Sequence, residues 1–287
     1  MASDDVLERT VSVGGLRLFV RERGEGHPLL LFNGIGGNAD MWGTAGDMLA
    51  CCSRTISIDS PGTGRSVTSM FPLSMQSLSR FVLAALDELG YERVDVMGFS
   101  FGGALAQQVA FDAPARVRRL ALVSTGCGWG SRLGSLSAMA AIATPVRYFS
   151  TEWYALTNRL LGESDDASDF TLGRFTHPPT PLGYAYQMWA LATWSSRRWL
   201  HRLQAPTLVV SGGRDRLVPV ENAIQLARLL PQSRLHILPA AAHLLMYYQG
   251  GVAPLLLADF FSSDTLEGSR AWRDGVDLDG IEVREVA

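Results

Sequence analysis

Short apolar runs, each bounded by glycine, proline or aspartate, recur along the chain with helix-like stretches between them. Pro28-Leu29-Leu30-Leu31-Phe32 is apolar without a break, the pattern of a strand covered on both faces. Thr55-Ile56-Ser57-Ile58, Val94–Met97, Val117–Val123, Pro206–Val210 and Arg234–Leu238 read as further strands. Helical stretches run from Ser74 to Leu89, closed by Gly90 as a C′ glycine, from Gly102 onward, and from Val252 to Phe261. A hairpin turning at Gly14-Gly15 precedes them, over Thr10 to Val20. Repeated β-α-β-α order predicts an α/β fold, a mostly parallel sheet with helices on both faces. In such sheets function gathers beyond the carboxyl ends of the strands, so the residues to weigh are those that follow each strand.

Two segments depart from the alternation. Residues 126–202 hold five of the seven tryptophans, Trp129, Trp153, Trp189, Trp194 and Trp199, with Phe149, Tyr154, Phe170, Phe175, Tyr184 and Tyr186. An aromatic-rich insertion between two core strands predicts a helical cap over the strand ends. Most of its aromatics would form the cap's own core, and those facing the sheet would line a substrate pocket. The expected organisation is a core in two parts, 1–125 and 203–262, interrupted by the cap at 126–202 and followed by a tail at 263–287. That tail is charged, with a lone Trp272, and reads as a loosely held extension.

Composition narrows the partners. A net charge of −3 without a dense Lys/Arg block argues against nucleic acid and anionic membrane. The opening MASDDVLERT lacks a basic n-region and an apolar core, which argues against a secretory signal. No run reaches the roughly 18 apolar residues of a membrane span, so no transmembrane segment is expected. Cys51, Cys52 and Cys127 form no disulfide or metal pattern; they fit a cytoplasmic chain in which cysteines are small core residues.

The chemistry-bearing motif is Gly98-Phe99-Ser100-Phe101-Gly102, set where a strand becomes a helix. Gly-x-Ser-x-Gly in that context predicts a nucleophile elbow, a tight strained turn that raises the serine Oγ above the sheet. The N–H of Phe101, at the helix start, would face a developing oxyanion. A serine hydroxyl needs a base held by an acid, in chain order Ser…Asp/Glu…His. Asp215 follows the strand Pro206–Val210, and His243 follows the strand Arg234–Leu238, both on the rim that carries Ser100. The loop Asn33-Gly34-Ile35-Gly36-Gly37-Asn38 after the early strand would supply the second oxyanion N–H, from Ile35.

Other readings of these residues are weaker. His27 lies on the opposite rim, His236 lies inside a strand, and His177 and His201 belong to the insertion, where His177 alone has a route to substrate. Asp59, in Asp-Ser-Pro-Gly-Thr-Gly-Arg-Ser, reads as a capping residue of its loop. Gly34-x-Gly36-x-x-Ala39 with Asp59 imitates a dinucleotide-binding fingerprint. A hairpin precedes that loop, however, and the reading leaves the placement of Ser100, Asp215 and His243 as coincidence.

With these residues in view, Thr10 to Phe261 resembles the α/β-hydrolase fold superfamily. Within it the chain is most similar to the intracellular medium-chain-length polyhydroxyalkanoate depolymerases. The resemblance is carried by Leu31-Phe32-Asn33-Gly34-Ile35-Gly36, Gly102-Gly103-Ala104-Leu105-Ala106-Gln107-Gln108, Trp199-Leu200-His201 and Leu235-His236-Ile237. Asn33 stands here as in that group, where many relatives carry histidine. Phe101 replaces the group's tryptophan, and Ala240-Ala241-Ala242 stand where an acidic residue is usual.

The resemblance implies that Ser100 attacks an ester of a 3-hydroxyacid polyester through an acyl-enzyme, with no metal or organic cofactor. The substrate would be an ester or polyester with medium-length side chains, and an exposed apolar cap rim would support association with a granule surface. A carboxylesterase or lipase is the nearest alternative. C–C bond hydrolysis, perhydrolysis and a non-catalytic ligand receptor use the same fold, although a receptor's usual mark, loss of a triad member, is absent here.

Overall fold

The computed structural model describes residues 6–163, 173–248 and 251–278. An eight-stranded sheet is built in the order β1-β2-β4-β3-β5-β6-β7-β8. Strands β1 (Leu7–Val13) and β2 (Leu16–Arg23) form the expected hairpin, longer than its sequence signal, with Val13 opposite Leu16. Its two turn residues, Gly14 and Gly15, stand at φ +53° and +81°. A two-residue turn with positive φ at both positions matches the twist of the strands it joins, and glycine takes it without steric cost.

The hairpin pairs antiparallel through β2 with β4 (Arg54–Ile58). From β4 the sheet is parallel throughout: β3 (Pro28–Phe32), β5 (Val94–Phe99), β6 (Val117–Val123), β7 (Thr207–Gly212) and β8 (Ser233–Leu238). The chain runs from β3 outward to β4, then returns past β3 to β5 and continues the other way. This reversal puts the topological switch between β3 and β5, where Phe32 lies opposite Gly98. A crevice outside the carboxyl ends of those two strands is the ligand position the topology favours.

Alternation along the strands separates two apolar layers. Leu30, Phe32, Val94 and Val96 pack with α2 (Met75–Glu88), α3 (Phe101–Asp112) and α7 (Glu221–Leu229). Leu29, Leu31, Met97 and Phe99 pack with α1 (Gly43–Ala50) and α8 (Val252–Ser262) on the other face. Between β6 and β7 lie α4 (Leu136–Ile142), α5 (Thr151–Leu161) and α6 (Pro181–Ala192). Ser135, Ser150 and Thr180 cap their N-termini by accepting the N–H of Ala138, Trp153 and Gly183. The aromatics here divide: Tyr148, Tyr154, Tyr184 and Trp194 are buried, while Trp129, Phe149, Trp153 and Trp189 are exposed.

Two expectations need correction. The stretch after α8 is not loose where the structure describes it. It forms α9 (Arg270–Asp274), buries Trp272 against Phe260 with ring centroids 5.7 Å apart, and bridges Val276 to Leu235 through paired 2.9 Å bonds. Asp259 anchors it, accepting from the Ser269 hydroxyl at 2.6 Å and the Ala271 N–H at 2.8 Å. The lone tryptophan of the sequence is an apolar anchor whose partner only the fold supplies. Residues 279–287 of that tail, and Phe170 of the insertion, lie outside the described residues. The cysteines are not uniformly core residues either: Cys127 is buried, Cys52 half-buried and Cys51 exposed, because α1 ends there and turns Cys51 outward.

Candidate active site

Strand β5 delivers the chain into Ser100 at φ 53° and ψ −117°, a region that costs a residue with a side chain about 1–3 kcal/mol. The surroundings over-determine it. Ser100 N–H donates to the Val123 carbonyl at 2.9 Å, and its own carbonyl accepts from Gly103 N–H at 2.9 Å and the Thr125 hydroxyl at 2.8 Å. The flanking glycines are required by contact: a Cβ on Gly98 would stand 2.2 Å from the Gly102 carbonyl oxygen. One on Gly102 would stand 2.2 Å from that of Phe32. Bare backbone at these points lets α3 start directly against the ends of β3 and β5.

The turn after β7 places Asp215, whose side chain is fully buried. Its Oδ1 accepts the N–H groups of Leu217 at 2.9 Å and Val218 at 2.8 Å, which leaves Oδ2 for His243 Nδ1 at 2.8 Å. An acceptor at Nδ1 fixes the proton there and leaves the Nε2 lone pair free to accept. Nε2 lies 3.1 Å from Ser100 Oγ. Ser100, His243 and Asp215 thus form one hydrogen-bonded chain, though 143 and 28 residues separate its successive members. Phe99 packs against the imidazole with centroids 5.2 Å apart, and Tyr247 meets Phe99 edge-on at 5.4 Å.

The loop after β3 passes over the serine: a Cβ on Gly34 would lie 3.6 Å from Cβ of Ser100. Asn33 organises this loop. Its Oδ1 accepts from Gly34 N–H at 2.9 Å and the Tyr247 hydroxyl at 2.7 Å, and its amide donates to the Asn38 carbonyl at 2.9 Å. Among the described residues, the N–H groups of Ile35 and Phe101 donate to no protein acceptor. They flank the serine from the two sides of the switch point.

The remaining candidates fall elsewhere. His177 Nδ1 pairs with Asp40 Oδ2 at 2.9 Å, His27 lies 3.9 Å from Asp95 beneath the sheet, and His236 Nε2 donates to the Ala271 carbonyl at 2.6 Å. His201 is exposed on a 3-10 turn. Asp59 accepts the N–H groups of Ala39 at 2.7 Å and Arg65 at 2.9 Å, and burial pushes its pKa up to about 6. Its oxygens are occupied by its own loops rather than offered to a ribose, and the Gly34–Gly36 turn does not open a long helix. The dinucleotide reading fails on both counts. Among the described residues, no group of three or more His, Cys, Asp or Glu side chains is placed to hold a metal ion. None of the described helices is long and apolar enough to cross a membrane.

Sequence reasoning missed three residues that touch this machinery. Glu163, just beyond α5, accepts Leu244 N–H at 2.9 Å and the Tyr248 hydroxyl. Burial raises its pKa, opposed by the Tyr248 bond and the nearby His243. Tyr148 donates to the Ile35 carbonyl, and Gln187 of α6 accepts Gly36 N–H at 2.7 Å. No local spacing marks any of them; the partners are 81, 113 and 151 residues apart.

A profile of the alpha/beta hydrolase fold matches residues 27–249, and the chain belongs to that family. It is similar to the poly(3-hydroxyalkanoate) depolymerase of Ectopseudomonas oleovorans, 34% identical over 80% of this chain and 83% of the relative. It is also similar to the 2-hydroxy-6-oxo-2,4-heptadienoate hydrolase of Pseudomonas putida, 27% identical over 89% of this chain and 96% of the relative. The solved enol-lactonase of Burkholderia xenovorans LB400 shares the fold, with a TM-score of 0.75 at 24% identity over 89% of this chain and 100% of that one. Family and depolymerase relative together place the chain among the hydrolases.

Proposed function

We propose that the chain is a serine hydrolase of carboxylic esters, with Ser100 as nucleophile, His243 as base and Asp215 as the acid that orients it. The observation that carries this reading is the continuous chain Ser100 Oγ–His243 Nε2, 3.1 Å, and His243 Nδ1–Asp215 Oδ2, 2.8 Å. His243 takes the hydroxyl proton as Oγ bonds to the ester carbonyl carbon, and the carbonyl oxygen becomes an oxyanion facing the N–H groups of Ile35 and Phe101. Asp215 stabilises the imidazolium. Collapse breaks the ester C–O bond, and His243 returns its proton to the leaving alkoxide. A water molecule, deprotonated by His243, then attacks the acyl-enzyme carbonyl. The second collapse frees the acid and regenerates Ser100.

The substrate we assign is a poly(3-hydroxyalkanoate), or its oligomers, with medium-length side chains. Identity of 34% to a poly(3-hydroxyalkanoate) depolymerase supports the polymer class. Residues 126–202 act as a cap over Ser100 in this reading, supported by the bonds that Tyr148 and Gln187 make to the loop above the serine. Exposed Leu136, Phe149, Trp153 and Trp189 on that segment suit contact with an apolar granule surface in the cytoplasm. Incubation with medium-chain polyester latex beside p-nitrophenyl esters of rising chain length tests the assignment. Clearing of the latex is expected; unchanged turbidity with cleavage of short esters would leave a carboxylesterase or lipase.

A second reading, hydrolysis of a C–C bond, is favoured by the similarity to the heptadienoate hydrolase. It predicts consumption of a 2-hydroxy-6-oxo dienoate faster than of any ester.

A further inference from the structure

Two side chains from the cap meet on a single peptide bond of the loop above Ser100. Gly34 to Gly37 form a turn closed by a 2.9 Å bond from Gly37 N–H to the Gly34 carbonyl. Gly36 stands at φ +70°, while Ile35 is not among the residues with positive φ, which makes the turn type II. Turn types I and II share their ends and differ by a half-rotation of the central peptide, here the one joining Ile35 to Gly36. Both polar groups of that peptide are held. The Tyr148 hydroxyl donates to the Ile35 carbonyl, and the Gly36 N–H donates to Gln187 Oε1 at 2.7 Å. Tyr148 comes from the 3-10 turn at Pro145–Tyr148 and Gln187 from α6, so the two partners arrive from separate elements.

The two partners are themselves fixed. Tyr148 is buried, with the Arg174 guanidinium 4.7 Å over its ring and Tyr184 edge-on at 6.1 Å. Tyr184 is tied in turn to the Ile142 carbonyl at 2.6 Å. A Cβ on Gly36 would lie 2.8 Å from the Tyr148 ring, so the ring closes the space on that side of the peptide. Gln187 is also buried.

We propose that Tyr148 and Gln187 are positioning residues that lock the Ile35–Gly36 peptide in one orientation, so that the oxyanion hole is complete only with the cap seated. The inference rests on the ester-hydrolase reading of Ser100 and Ile35. An oxyanion donor is effective when its dipole is already aimed before charge develops. A turn with three glycines has little internal resistance to rotation. Without its anchors the Ile35–Gly36 peptide is free to rotate about the Ile35 Cα. The Gly34–Ile35 peptide that carries the donor N–H then keeps only the Gly37 N–H to Gly34 carbonyl bond, so the donor's aim relaxes. Ground-state contacts between cap and substrate do not use this peptide, so kcat carries the effect and KM does not.

The test uses the full chain carrying Tyr148→Phe, Gln187→Met or both, assayed on p-nitrophenyl octanoate with an alkyl trifluoromethyl ketone as inhibitor. The ketone adds Ser100 Oγ to its carbonyl carbon and leaves an oxyanion, so its affinity reads the hole directly. Each single substitution is expected to lower kcat about tenfold, with KM held within about twofold. Ketone binding should weaken by the same factor, and the double variant should be little worse than the worse single one, because both anchors hold one peptide. Tyr148→Phe removes a single oxygen atom and is the variant least able to disturb folding. Unchanged kcat and ketone affinity in both singles, or a raised KM at constant kcat, overturns the proposal. Ser100→Ala, assayed alongside, separates the two layers of argument. If it retains turnover, the serine reading fails and the clamp with it; if it is inactive while the Tyr148 and Gln187 variants match the parent, only the clamp fails.

Discussion

Glu163 accepts the backbone N–H of Leu244 at 2.9 Å, so a carboxylate from outside the sheet holds the residue that follows His243. Its second oxygen takes the Tyr248 hydroxyl, and Arg216 lies beside the preceding Gly162. Among the described residues, Asp215 contacts the imidazole directly and Glu163 acts on it through space.

Glu163→Gln tests the cost of burying that carboxylate. Burial raises the Glu163 pKa, so the fold favours its protonated form. That contribution to stability is complete below the ordinary carboxyl range and is lost as pH rises through the raised value. Melting curves from about pH 4 to about pH 7 should therefore show the glutamine variant gaining on the parent as pH rises. A glutamine variant whose melting temperature tracks the parent's across that range would show that burying the Glu163 carboxylate carries no pH-dependent cost.

Ser100 supplies a prediction in which stability and activity move in opposite directions. Its φ of 53° and ψ of −117° suit glycine and strain any other residue. Ser100→Gly should raise stability by about 1 kcal/mol after the added freedom of the unfolded chain is subtracted. Ser100→Ala keeps the strain and should melt near the parent. Both should lose turnover by about four to six orders of magnitude. Chemical denaturation of the three proteins checks the first part; a glycine variant no more stable than the alanine one would remove the claim of stored strain.

Gly102 and Gly90 distinguish crowding from backbone conformation. A Cβ on Gly102 would stand 2.2 Å from a backbone carbonyl oxygen, which cannot yield without separating α3 from β3. Gly90 stands at φ +79° with open space around it. Gly102→Ala should cost about 3 kcal/mol or more and abolish activity, whereas Gly90→Ala should cost about 1 kcal/mol and leave activity intact. Equal melting of the two variants would contradict the close approach at the elbow.

The legible part of this molecule is the part encoded locally. A continuous apolar run marks β3 because both faces of a central strand are covered, and Gly98 and Gly102 mark the elbow because backbone touches backbone there. Asp215 and His243 stand out because each follows a strand on one rim. Glu163, Tyr148 and Gln187 escape notice because their partners are brought near by the fold and by nothing in the spacing. Glu163 also opens the acidic run Glu-Ser-Asp-Asp, yet its carboxylate is buried. The stretch after α8 differs for a related reason: its lone tryptophan is visible in the sequence, but its seat on Phe260 is created only by the fold.

That tryptophan gives the last prediction. Trp272 is buried, stacked on Phe260 at 15° between ring planes, with the Arg234 guanidinium 5.0 Å from its ring. Arg234 and the Val276–Leu235 bridge both tie α9 to β8, the outermost strand of the sheet. Removing the indole should cost about 3 to 5 kcal/mol, the range for truncating a buried large aromatic. The loss has a location: with the stack gone, only polar bonds from Asp259 and His236 hold the start of α9, and the bridge to β8 loses its largest apolar neighbour. Trp272→Ala should lower the melting temperature and speed hydrogen exchange at the amides of Leu235 and Val276. Turnover below the new melting point should be preserved, since Trp272 touches none of the residues around Ser100. Unchanged exchange at those two amides would show that the seating of α9 on β8 does not depend on the stack.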